Sequence, residues 1–367
     1  MPGLSQILLE RRSQGTLNDY VTAIAWSPIP STLAIASAAG EILLVNPETQ
    51  AEIILQAATG QSIDCLAFSA DGHYLAAGGQ SGNLLIWPLN PPYALRSGSA
   101  DDSAQREPIH PPTRLPHPRT WLDRLTWNPT SNELAFSLGR YAQIWDAEAE
   151  EILATLQFEN SSVLDLAWHP QGKHLAVSGH QGIKIWPRDD WDAAPEVREI
   201  AAASIAIALS PDGQYLASGN LDHTLLVWPF DSDYPWQMRG FPGKVRQLAW
   251  SDITVGQAPL LASASGTAVV IWRKKSDAGD GWDAQILDLH EQRVNAIAFQ
   301  PGSTLLASAA EDGWVCLWKK AQATQILEGA SRFSTLAWSP NGQWLAAGGQ
   351  QGEWLVWKQQ SRGRGFG

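Results

Sequence analysis

A short phrase recurs eight times along these 367 residues, and it constrains the fold more than any other feature. The phrase is an apolar stretch ending in Ala-Trp or Ala-Phe, then Ser-Pro-x-Gly or a relative, then Leu-Ala-x-x, then an apolar run closing on Trp. One copy reads Ile63–Phe68, Ser69-Ala70-Asp71-Gly72, then residues 75–79 and 84–87. Another reads Phe333–Trp338, Ser339-Pro340-Asn341-Gly342, then residues 345–349 and 354–357. Length alone would allow two or three domains. A repeat at this period makes the chain an array of small units that bury their apolar faces on one another.

The first strand of each unit ends on an apolar anchor: Trp26, Phe68, Trp127, Trp168, Leu209, Trp250, Phe299 and Trp338. Most steps between anchors are 39 to 42 residues; those from Phe68 to Trp127 and from Trp250 to Phe299 are 59 and 49 and mark insertions. The last apolar strand of each unit ends at Val45, Trp87, Trp145, Trp186, Trp228, Trp272, Trp318 and Trp357. The two sets take twelve of the nineteen tryptophans, so this richness reads as scaffold. Val21–Trp26 is apolar at alternate positions, as a strand requires. Asp71-Gly72, Asp212-Gly213 and Asn341-Gly342 are tight-turn dipeptides. A fourth strand is expected in each spacer, for example at 152–157.

Four strands per unit of about 41 residues resembles the WD40 family of β-propellers. The resemblance runs from about Leu4 to Trp357. It implies an all-β fold: one closed propeller of eight four-stranded blades spanning residues 1–360. The last unit stops after its third strand, and residues 5–10 precede the first strand of unit one, so the N-terminal strand is expected to complete the last blade. Deleting residues 4–11 is then expected to open the ring. A Pro-rich insertion at about 90–118 reads as a surface loop returning as a fourth strand near 112–116, and 361–367 reads as a disordered tail. Departures from the family are visible. Only Trp145-Asp146 ends a unit in Trp-Asp, and no Gly-His stands before a first strand, where the family places it; Gly72-His73 and Gly179-His180 lie elsewhere in their units. Unit seven alone has His290, Ser308, Asp312 and Trp318 where the family's structural hydrogen-bonded tetrad sits. Most units must therefore be held by packing, and Trp-to-Ala changes in third strands are expected to cost more than changes at His290.

Net charge is −12, which disfavours nucleic acid or an anionic membrane as partner. No apolar run approaches the ~20 residues of a membrane helix, and the start lacks a signal peptide. Cys65 and Cys316 lie in apolar strands and read as buried thiols. The expectation is a cytoplasmic monomer. No catalytic motif is present. His290-Glu291 begins like a zinc-protease motif but lacks its second histidine, and no P-loop, dinucleotide fingerprint or G-x-S-x-G occurs. Two distant cysteines make no zinc site. His110 with His117, or His169 with His174, would need a third ligand to hold a metal. No cofactor or metal is expected.

In the resembling family, partners often dock on the face carrying the loop before strand one and the turn after strand two. Carried over unit by unit, that face takes Tyr20, Thr22, Ser62, Asp64, Gln80, Trp121 and Asp123, then Arg140, Ser162, Leu164 and His180. It continues with Ser204, Ala206, Leu221, Lys244, Arg246, Arg293, Asn295, Glu311, Arg332, Ser334 and Gln350. Lys244, Arg246, Arg293 and Arg332 fall in three successive units and would form a basic arc on an acidic protein. Tyr20 and Trp121 add aromatic surface, and Tyr, Trp and Arg are enriched at binding hot spots. The reading is a non-catalytic scaffold that binds a protein or peptide partner bearing acidic groups. The alternative is a ligand- or metal-handling propeller, possibly enzymatic, using the central channel.

Overall fold

The computed structural model describes residues 8–29, 32–89, 110–159, 161–276, 281–329 and 331–360. All of its regular structure is β. In a standard unit four antiparallel strands follow in order, as in Val21–Trp26, Leu33–Ser37, Ile42–Asn46 and Ala51–Gln56. Second and third strands lie between neighbouring sheets and are buried on both faces, hence their unbroken apolar runs. Outer strands such as Ala51–Gln56 alternate between half-buried and exposed residues. Within the Pro-rich insertion, Thr113–Pro116 pairs with Asn83–Pro88; most of the remainder lies outside the described residues, as do 361–367.

The recurring Ser-x-Asp/Asn-Gly has a local cause. Ser69 Oγ donates to Asp71 Oδ1 at 2.6 Å and accepts the Tyr74 N–H at 3.0 Å, which fixes the turn between first and second strands. Ser210 with Asp212, and Ser339 with Asn341, repeat the arrangement. Burial opposes ionisation of Asp71. The Ser69 hydroxyl, the His73 N–H and the Asn132 amide outweigh it and hold the carboxyl at about 2.

The expected count of eight blades is corrected: the described residues form seven hydrogen-bonded sheets, six of four strands and one of six. Units four and five share the six-stranded sheet. Its strand His174–Pro187 reverses at Gln181 and Gly182, both at positive φ, and the Arg188 N–H reaches back to the Lys173 carbonyl at 2.8 Å. The next strand, Glu196–Leu209, pairs first with that segment and then with Tyr215–Asn220. Where one pairing passes to the other runs Ile200-Ala201-Ala202-Ala203, the last of them paired with His180, with no Gly, Pro, Asn or Asp to break the strand, so the ladder continues from one unit into the next.

The closed ring is corrected as well. Among the described residues no hydrogen-bonded ladder joins one sheet to the next, so the sheets do not close on themselves. First strands of successive units pack side by side, and Phe333–Trp338 returns against Val21–Trp26. A separate apolar core fills each junction, such as Leu44, Leu66 and Trp87 between units one and two. Val21, Trp26, Trp344 and Trp354 pack the junction between last and first units. The tryptophan anchors add a second tie. Each of Trp26, Trp127, Trp168, Trp250 and Trp338 donates its indole N–H to a first-strand carbonyl of the preceding unit, at 3.0 to 3.2 Å. Each such bond contributes a net ~1 kcal/mol.

The N-terminal strand does complete the last sheet, pairing with Glu353–Gln359. It spans Leu9–Thr16 rather than the expected 5–10, of which residues 5–7 lie outside the described residues. Only Leu9 is fully buried on this strand, so no apolar alternation advertised it. Gly15 lies flat on Trp354, where an added Cβ would stand 2.4 Å from the indole.

Candidate functional site

The face in question is shaped by β-bulges. In five units the ladder between first and second strands slips at the second residue of the first strand: Thr22, Asp64, Ile205, Asn295 and Ser334. A bulged residue leaves the ladder and its side chain is re-aimed. Three of these reach the next unit. Thr22 Oγ1 donates to the Ile63 carbonyl, Asn295 Nδ2 to the Phe333 carbonyl at 2.8 Å, and Ser334 Oγ to the Val21 carbonyl at 2.5 Å. Units seven, eight, one and two are thereby laced together around a cavity of about 500 Å³. Tyr20, Thr22, Asp64, Arg293, Asn295 and Ser334 line it.

Seven of the residues that the repeat placed on this face meet at this cavity: Tyr20, Thr22, Asp64, Arg293, Asn295, Ser334 and Gln350; of the basic arc and the two aromatics, Tyr20 and Arg293 are among them. Tyr20 is 41% exposed and Trp121 59%. Lys244, Arg246 and Arg332 are exposed, lie outside the cavity lining, and make no ion pair among the described residues. Arg293 is engaged: its Nη2 lies 3.1 Å from Glu311 Oε1, and its Nε donates to Asn295 Oδ1 at 2.9 Å. Ser204 is not on the face. It is fully buried and bonds Ser218 Oγ at 2.7 Å. A serine occupies the first, normally apolar slot of unit five, so counting from Ile205 slips by one and the bulged residue is Ile205 itself.

Sequence reasoning passed over Arg124 and Asp165. Counted back from the anchors Trp127 and Trp168, they occupy the repeat position where other units keep Ala23, Cys65, Ala206 or Ala296; Arg124 lies just before the strand Leu125–Trp127, and Asp165 opens the strand Asp165–Trp168. Arg124 Nε lies 3.4 Å from Asp165 Oδ1, and Asp165 Oδ2 accepts the Ile207 N–H at 2.9 Å, tying units three, four and five. Burial pushes the Asp165 carboxyl up, against the pull of Arg124 and two backbone N–H groups. The available signal was a charge where the repeat keeps a small residue. Burial also raises Asp64, opposed by the Ser62 hydroxyl at 2.6 Å, with Asp123 pushing the same way as burial and Arg124 against it. Burial, then Asp64 and Asp19, raise the Tyr20 phenol. Asp64, Asp123 and Asp165 thus fall in units two to four, and Lys244, Arg246, Arg293 and Arg332 in units six to eight.

Buried beneath these loops in unit seven, His290 Nδ1 lies 2.8 Å from Asp312 Oδ2 and its Nε2 lies 2.7 Å from Ser308 Oγ, which also accepts the Trp318 indole N–H at 2.7 Å. His180 lines another cavity, of about 640 Å³, with Phe158, Lys184 and Val197. Among the described residues no group of three or more His, Cys, Asp or Glu is arranged to hold a metal. The rings of His169 and His174 are 5.9 Å apart and both pack on Phe230, while His117 packs on Phe136.

The WD40 family model (WD domain, G-beta repeat) matches residues 52–88, 150–187, 199–229, 282–319 and 322–358. Each match begins in or just before an outer strand and ends at the third strand of the next unit, so the repeat straddles two units. That offset is why the last unit needs a strand from the N-terminus. Telomerase protein component 1 of Rattus norvegicus is 25% identical over 308 residues, 80% of this chain and 11% of that protein. Protein HIR1 of Yarrowia lipolytica is 28% identical over 178 residues, 40% of this chain and 16% of that protein. A chromatin assembly factor 1 subunit FAS2 homolog of Oryza sativa subsp. japonica is 27% identical over 158 residues, 39% of this chain and 31% of that protein. The chain thus spans about a tenth to a third of the length of these relatives. Telomerase and chromatin assembly are named for work in the nucleus, which contradicts the cytoplasmic placement expected from the sequence. Repeats, sheets and family match agree: the chain is a WD-repeat β-propeller with the fold of the WD40 family.

Proposed function

We propose that this propeller, as a monomer, captures an acidic segment of a protein partner on its bulge-bearing face. Lys244, Arg246, Arg293 and Arg332 supply the charge, and Tyr20 and Trp121 supply apolar contact. The observation that carries this reading is the exposure of Lys244, Arg246 and Arg332 on a protein of net charge −12. Cations left unneutralised on one side of an acidic molecule steer and orient an anionic partner. Exposed Tyr20 and Trp121 fit the same use, since such rings bury large area at small conformational cost. Relatives named for chromatin assembly and for regulation of histone transcription favour a protein partner.

The test is an affinity pull-down with the wild type beside Arg293→Glu combined with Arg332→Glu. The double variant should lose the captured partner while its melting temperature stays at the wild-type value, since both side chains are exposed. Capture that survives the double change removes the arc as the site.

A further inference from the structure

The last two arginines of the arc, Arg293 and Arg332, occupy the same place in successive units but face different partners. Each precedes its first strand, and each backbone carbonyl accepts an N–H from the residue that follows the second strand. For Arg332 that residue is Gln350, at 2.8 Å; for Arg293 it is Glu311, at 2.9 Å. In units one, two and five the corresponding residues are Ala38, Gln80 and Leu221, bonded to Tyr20, Ser62 and Ala203. Glu311 is thus the one acidic residue among these five positions.

Its carboxylate is aimed at the arc. Glu311 Oε1 lies 3.1 Å from Arg293 Nη2, and Asn295 Nδ2 approaches the same oxygen at 3.5 Å. The acid is the more sheltered member of the pair, its side chain 22% exposed against 57% for the arginine. Arg293 also donates to Asn295 Oδ1, which holds the guanidinium along the cavity wall. A guanidinium offers five donors, so further carboxylate oxygens can be taken from the cavity side.

We propose that Glu311 is a built-in carboxylate ligand of Arg293, which an acidic partner displaces or shares. The inference rests on the proposed function and refines it. The arc has three side chains, Lys244, Arg246 and Arg332, open to an anion and one, Arg293, already occupied by the chain's own acid. Glu311 sets a threshold: weakly acidic segments do not outcompete it, while a segment with adjacent carboxylates does.

The test is fluorescence anisotropy with a fluorescein-labelled octaglutamate peptide at low salt, on the full chain. Glu311→Gln removes the competing charge and keeps the backbone bond, so folding is preserved and a melting curve checks it. Binding should tighten about two- to fivefold, the range of an exposed ion pair, and the gain should vanish at high salt. Asp64→Asn makes the same change of charge on the same face without touching Arg293. Tightening by Glu311→Gln no greater than that by Asp64→Asn overturns the inference and leaves the arc standing. Equal binding by wild type and the Arg293→Glu, Arg332→Glu variant, or no binding by any variant, overturns the proposed function and this inference together.

Discussion

His169 shows how single residues hold this array together. Its Nδ1 accepts the Gln171 N–H at 3.2 Å, so Nε2 carries the proton and donates to the Gly213 carbonyl at 3.2 Å, joining units four and five. Gly213 is at φ +71°, and an added Cβ would stand 2.6 Å from that nitrogen, so only glycine fits under the ring. His174 lies beside it, with a buried Nδ1 that has no hydrogen-bond partner. Burial, then the neighbouring His169 and the nearby Lys173, hold His174 below the ordinary histidine pKa, against the upward pull of Asp189 and Glu196. A depressed folded pKa means that the unfolded chain takes up the proton first. The stabilisation is present above about pH 6.5 and is lost progressively as pH falls from there through the lower folded pKa. Calorimetry at about pH 7.5 and about pH 5.5 should show a smaller loss of melting temperature for His174→Phe than for wild type. An equal loss would contradict the assignment. Packing outweighs the polar tetrad by the same logic. Trp228 is 1% exposed, and Trp228→Ala should cost about 3–5 kcal/mol, against about 1–3 for His290→Ala, which leaves Asp312 and Ser308 partly unsatisfied. Denaturant melts of the two variants decide it, and the reverse order would refute it.

Among the elements, the N-terminal strand carries most consequence. Leu9–Thr16 covers Glu353–Gln359, which would otherwise present an open edge. Gly15→Val drives a side chain into Trp354 and should cost about 1–3 kcal/mol. Deletion of residues 8–16 should lower the melting temperature of the whole chain; a deletion that melts like wild type would show that the strand only decorates the edge. This element also marks the limit of what patterning reveals. Second and third strands are legible because burial on both faces makes them continuously apolar. Arg11-Arg12-Ser13-Gln14 carries no such signal, because its outer face meets solvent and its inner face is flat glycine against indole. The merging of units four and five was hidden for another reason: the repeat continues unchanged in sequence while the turn that would separate the ladders is missing at 200–203.

At the scale of the molecule, the spacing of the repeat places Tyr20, Arg293, Asn295 and Ser334 around one cavity, although they are more than 300 residues apart in the chain at the extremes. Residue spacing could reach that arrangement because every unit repeats one geometry. It could not show which side chains are spoken for, since the Glu311 contact and the Arg124–Asp165 tie arise between positions the repeat leaves free. The account holds that an otherwise acidic propeller presents a localised basic arc for an anionic partner. Zero-length carbodiimide coupling of the octaglutamate peptide tests this most directly, because it joins a bound carboxylate only to a lysine in contact. Peptide mapping by mass spectrometry should find the adduct on Lys244, reduced in the Arg293→Glu, Arg332→Glu variant. Adducts spread evenly over Lys173, Lys184, Lys319 and Lys244, or unchanged in the variant, would contradict the account.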